Sequence, residues 1–108
     1  MRKRAAHYAL IGGELRRNIV ISVDDNRRVV AIDEKGRRYH VKDRLRDLES
    51  VLPSYFIRIN KSTLANEHRI LRFSAAVGGG VDAVFRCGYR EYVSRRCFSE
   101  IKRRYEGV

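Results

Sequence analysis

The opening stretch of the chain alternates short β-branched runs with turn-forming clusters, and this spacing is a strand signal. Ile19, Ile21 and Val23 fall on alternate positions of the run from Asn18 to Val23. Asp24-Asp25-Asn26 then supplies a turn, Val29 to Ile32 resumes the apolar pattern, and Asp33-Glu34-Lys35-Gly36 leads into Arg38 to Val41. Two hairpin connections are expected here. Upstream, Tyr8 to Ile11 is apolar and ends at Gly12-Gly13, so residues 1–14 read as an extension or leading strand before a single domain over 15–108.

A short amphipathic helix is expected mid-chain: Asp43 can cap it, Leu45, Leu48 and Leu52 share a face, and Pro53 stops it. Tyr55 to Ile59 is β-prone, and Asn60 to Asn66 is polar and reads as a turn or short helical segment. Ile70 to Val77 is strand-like again. Gly78-Gly79-Gly80 lacks the Gly-Lys-Ser/Thr of a phosphate cradle and reads as a hairpin loop into the strand Val81 to Arg86. Cys87-Gly88 marks a tight turn before Tyr89 to Val93. Ser94 can then cap a last helix with Phe98, Ile101 and Tyr105 on one face and cations on the other. About seven strands and two helices without β-α-β alternation favour a mainly β, antiparallel architecture.

Charge narrows the function. The 24 Lys and Arg against 13 Asp and Glu leave a net +11, a field that attracts polyanions. Most of these cations are Arg, whose planar fork grips a phosphate or a guanine edge through two hydrogen bonds. Charge alone does not separate DNA from RNA, nor either from anionic lipid. No apolar run approaches the roughly 18 residues of a membrane span and no signal-peptide core follows Met1-Arg2-Lys3-Arg4, so a cytoplasmic protein without membrane insertion is expected.

Catalytic chemistry finds no support. His7, His40 and His68 are dispersed, no His-x-x-x-His or Cys-x-x-Cys occurs, and the adjacent Asp24 and Asp25 suit a turn better than a metal-dependent nuclease site. No catalytic residue, metal or cofactor is expected. Cys87 and Cys97 fit neither a zinc spacing nor a disulfide framework and read as small, partly buried apolar residues. The informative pattern is that Arg27-Arg28, Lys61 and Arg95-Arg96 fall at loops or element starts, because loops gathered by a rigid sheet can enter a groove.

Tyr55-Phe56-Ile57-Arg58-Ile59-Asn60-Lys61-Ser62-Thr63-Leu64-Ala65-Asn66, followed by Ile70, resembles the central signature of the LytTR family of bacterial DNA-binding domains. Tyr92-Val93-Ser94-Arg95-Arg96, leading into Phe98 and Ile101, is similar to the family's closing Val-Ser-Arg segment and C-terminal helix. The likeness extends over roughly residues 15 to 105. It departs at Asn60, where the family often has His, and at Ala65, where it often has a β-branched residue.

The resemblance implies an elongated arrangement of small antiparallel sheets that presents loops to successive major grooves. It implies base-edge contacts from Arg27 or Arg28, Lys61 and Arg96, and two copies of the domain on direct repeats of duplex DNA. In such proteins a receiver domain commonly precedes the module, and none is expected within this chain; a third reading is a regulator that works mainly by holding a protein partner such as a membrane-bound inhibitor. Around the base-edge positions, Arg58, Ser62, Arg69, Arg90, Ser94, Arg95, Lys102, Arg103 and Arg104 are candidates for phosphate contacts on charge and position. The rival reading is a ribosome-associated RNA-binding module, with Tyr39, Tyr55, Phe56, Tyr89 and Tyr92 stacking on bases, although core burial accounts better for most of these rings.

Overall fold

The β-branched runs pair as their turns predict. A computed structural model describes residues 15–106; the expected leading strand at Tyr8 to Ile11 lies outside them. β1 (Val20–Val23), β2 (Val29–Ile32) and β3 (Arg38–Val41) form consecutive antiparallel hairpins. β4 (Phe56–Asn60) and β5 (Thr63–Asn66) form another, and β5 pairs with β1, giving a five-stranded sheet in the order β3-β2-β1-β5-β4. A single 3-10 turn, Glu67–Arg69, leads into a second antiparallel sheet of β6 (Ile70–Ala75), β7 (Val81–Phe85) and β8 (Arg90–Val93).

Helix α1 (Leu45–Val51) joins β3 to β4, and α2 (Arg95–Glu106) follows β8. Leu52, immediately before Pro53, has ψ 156, the extended conformation that proline imposes on its predecessor, and the helix ends there. The α1 N-cap position is held by Arg44, with no side-chain cap bond, and not by the expected Asp43; the helix begins one residue later because Arg44 still has extended backbone. At α2 the expected cap forms: Ser94 Oγ accepts the Cys97 N–H at 3.2 Å.

Both faces of the five-stranded sheet are covered over its central strands, while the edge strand β3 is largely exposed. Ile21, Val29, Ala31, Phe56 and Leu64 pack under Leu45 and Leu48 of α1 and Leu52 just past its end. On the other face Ile19, Val30, Ile32, Ile57 and Ile59 meet Ala83, Phe85 and Val93 of the second sheet and Ile101 of α2. Burial on two faces explains why Val29–Ile32 is continuously apolar instead of alternating. The molecule measures 44 × 31 × 23 Å, an elongated body.

Two expectations are corrected. The polar segment Asn60 to Asn66 contains a strand: β5 lies between β1 and β4, and all four of its residues are buried. Asn66 tolerates burial because its Nδ2 donates to Arg16 O at 2.8 Å and Asn18 O at 3.1 Å, while its Oδ1 accepts from the His68 N–H at 3.0 Å. Of the two cysteines only Cys97 is partly buried; Cys87 is exposed, in the tight turn between β7 and β8 that Gly88 closes at φ +94. The Tyr105 side chain lies outside those described.

Candidate nucleic-acid interface

Hydrogen bonds between neighbouring elements gather three cation-bearing loops along one end of the scaffold. The first is the β1–β2 loop. Asp24 organises it: one carboxylate oxygen accepts the N–H groups of Asn26 and Arg28, both at 2.9 Å, and its carbonyl accepts that of Arg27 at 3.0 Å. Arg27 is held at φ +62, the left-handed region that costs an L-residue about 1–2 kcal/mol. Both Arg27 and Arg28 are exposed.

The second is the β4–β5 turn at Lys61 and Ser62. Because β5 lies beside β1, the Val23 N–H reaches Ser62 O at 2.9 Å, and the turn sits next to the start of the β1–β2 loop. Lys61 is exposed, whereas Ser62 is half-buried and its N–H donates to Asn60 Oδ1 at 2.9 Å. Arg58, expected at a phosphate, instead faces the protein. Its Nη2 meets Glu49 Oε1 of α1 at 2.7 Å, and its Nη1 donates to Lys61 O at 2.7 Å.

The third is the junction of β8 with α2. The Ser94 N–H donates to Ile59 O at 2.8 Å and Asn60 Nδ2 donates to Tyr92 O at 2.8 Å, so the end of β4 is stitched to the segment that delivers Arg95 and Arg96. Both arginines are exposed. Arg96 is 90% exposed, with only a long 3.8 Å contact to Glu100.

A fourth loop joins the row that sequence reasoning left out. Val41 pairs with Val29, which sets Lys42 and Arg44 beside Arg27 and Arg28, around a concavity of about 380 Å³. The cations of Lys42 and Arg44 were visible in the sequence. Their position was not, because it depends on the register of β2 with β3.

The other candidates are dispersed. Arg69 pairs with Glu34 at 2.6 Å, at the β2–β3 end of the sheet, away from the row. Arg90 lies on the second sheet and pairs with Asp82 at 3.2 Å. Lys102, Arg103 and Arg104 are exposed along α2, and Lys102 Nζ stands 5.7 Å from the centre of the Phe98 ring. Among the described residues the five proposed aromatics form no common stacking platform: Phe56 is buried, Tyr55 stacks on His68 at 4.0 Å, Tyr89 packs against Phe85, and exposed Tyr39 and Tyr92 lie on different sheets. Among the described residues no three His, Cys, Asp or Glu gather as a metal site, and no helix is long and apolar enough to cross a membrane.

The family model of the LytTr DNA-binding domain matches residues 16–106. The chain belongs to the LytTR DNA-binding domain family. This is a family of DNA-binding domains, not of enzymes. A solved LytTr domain has the same fold: the LytTr DNA-binding domain of a protein described as a methyl-accepting/DNA response regulator from Bacillus cereus. It superposes with a TM-score of 0.72 at 20% identity, over 82% of this chain and 81% of that one.

Among curated proteins, uncharacterized HTH-type transcriptional regulators of Staphylococcus aureus, from strain COL and strain N315 among others, are 34% identical over 79 residues, which is 73% of this chain. The LytTR chain described here spans about half of their length, 53%. Within its described residues α1 and α2 are separated by five strands and do not form a helix-turn-helix pair with each other.

Proposed function

We propose that this LytTR domain binds duplex DNA sequence-specifically as the effector of a bacterial transcription regulator, with its loops entering successive major grooves on one side of the duplex. The observation that carries this reading is the row of cationic loops along one end of the scaffold. Arg27 or Arg28, Lys61 and Arg96 read base edges, and Lys42, Arg44 and Arg95 lie beside them to meet phosphates. Lys102, Arg103 and Arg104 add phosphate contacts along α2. Arg58, Arg69 and Arg90, whose charges are paired within the protein, contribute less. The long dimension of 44 Å exceeds the roughly 34 Å between successive major grooves, which is compatible with one domain bridging two of them.

A second protomer on a direct repeat would raise affinity through effective concentration. Control of binding would come from a receiver domain or a membrane-bound regulator outside these residues. A selection of random duplexes, run at physiological salt with single-stranded RNA as competitor, tests the reading. Enrichment of direct-repeat duplexes is expected, and preferential retention of the RNA would overturn it.

A further inference from the structure

The Asn60 side chain spans two of the loops and touches both. Its Oδ1 accepts the Ser62 N–H at 2.9 Å, closing the turn that carries Lys61, and its Nδ2 donates to Tyr92 O at 2.8 Å, on the strand that runs into Arg96. Tyr92 is 32 positions away in sequence and belongs to the other sheet. A backbone bond, Ser94 N–H to Ile59 O at 2.8 Å, runs beside it.

The reach of Asn60 comes from an irregularity in β4. In a regular strand Arg58 and Asn60 would face the same way. The β4–β5 register shifts between them, Arg58 lying opposite Leu64 and Asn60 opposite Thr63. Such a bulge re-aims the side chains around it. Arg58 accordingly turns to Glu49 of α1 on one face, whereas Asn60 reaches β8, on the side where Ile59 packs with the second sheet.

We infer that Asn60 is a positioning residue that fixes the spacing between the Lys61 turn and the start of α2 that carries Arg96, so that the two read their base pairs as one unit. This rests on the reading of Lys61 and Arg96 as base-contacting residues. A primary amide is suited to the task because it offers a donor and an acceptor at once. A neutral imidazole also offers one of each, whereas a carboxylate can accept from Ser62 but cannot donate to Tyr92.

The test is base preference at each position of a selected duplex, measured for the full chain and its K61A, R96A, N60A, N60D and N60H variants at about pH 8, where imidazole is neutral. K61A and R96A assign one base pair to each loop; if neither alters any preference, the base-reading assignment fails, and the inference with it. Given that assignment, N60A lowers discrimination at both base pairs together, by roughly 2- to 10-fold each, the size of one net hydrogen bond. N60D lowers it at the Arg96 base pair and spares the Lys61 one, and N60H restores both.

Retention of both preferences in N60A, loss at one base pair alone, or failure of N60H to restore them would overturn the bridging role while leaving the base-reading assignment intact. If N60A does not fold, N60D and N60H decide the matter by the same criteria. V84A, a cavity in the second sheet away from these loops, serves as the stability control and keeps both preferences.

Discussion

Arg58 joins Glu49 of α1 to the backbone of the β4–β5 turn, with its guanidinium 2.7 Å from the carboxylate and 2.7 Å from Lys61 O. The pair is partly exposed, so its Coulombic share is small, and the bond to the turn carbonyl carries much of its value. R58A is expected to lower stability by about 1–2 kcal/mol while leaving the slope of log K against log salt unchanged. Denaturant melts and salt titrations measure the two separately. A shallower slope without a loss of stability would return Arg58 to the phosphate contacts.

Arg96 and Arg103 lie on one helix and should behave differently. R96A is expected to cost about 1–3 kcal/mol and to relax preference at one base pair, whereas R103A should weaken all sequences alike and make the salt slope shallower by about one unit. Binding to a panel of single-base variants at several salt concentrations distinguishes them. Unaltered base preference in R96A would remove it from the reading set.

Arg27 sits at φ +62, where glycine is at ease. R27G removes the strain but loosens the unfolded chain, so stability is expected to stay level or rise by up to about 1 kcal/mol. DNA binding should fall nonetheless, because a loop cation is lost. Thermal melts set beside binding isotherms test this pairing, and a parallel fall of both would show that the side chain supports the fold.

Asp33 gives the β2–β3 turn a dependence on pH. Partial desolvation favours its neutral form, but the Arg37 guanidinium at 2.7 Å and the backbone N–H groups of Arg37 and Lys35 outweigh it and hold the carboxyl below its ordinary value. A lowered folded-state value means that the turn's contribution is fully present above the unfolded value of about 4 and is lost as pH falls through the folded one. D33N should therefore be less stable than the parent at pH 7, with the gap narrowing as pH drops below about 4. A gap independent of pH would mean that the ionised form is not what matters.

The elements that could be read from sequence are those whose local chemistry and tertiary role agree. The β-branched run that ends at Val23, the Asp-rich turns and the Ser94 cap all specify their conformation within a few residues, although Ile19 precedes β1 and packs on the opposite face from Ile21. β5 escaped because Thr63 and Asn66 look like loop residues. They are strand residues because β1 and β4 close on both sides and distant carbonyls satisfy the Asn66 amide. The start of α1 was displaced for a similar reason: Asp43 has capping chemistry, but the backbone at Arg44 is still extended.

The site divides along the same line. That Arg27, Arg28 and Lys61 stand at turns and Arg96 at the start of a helix is a property of sequence, since turn residues, strand runs and the Ser94 cap mark where elements begin and end and charge shows what they carry. That these loops share one end, that Lys42 and Arg44 stand with them, and that Arg58 turns inward depend on strand register, on the β4 bulge and on bonds such as Asn60 to Tyr92. Sequence by itself determined the β-rich framework, the positive charge and the family. Only tertiary structure decided which cations stand together, because a shift of one residue in pairing moves every side chain to the other face of a sheet.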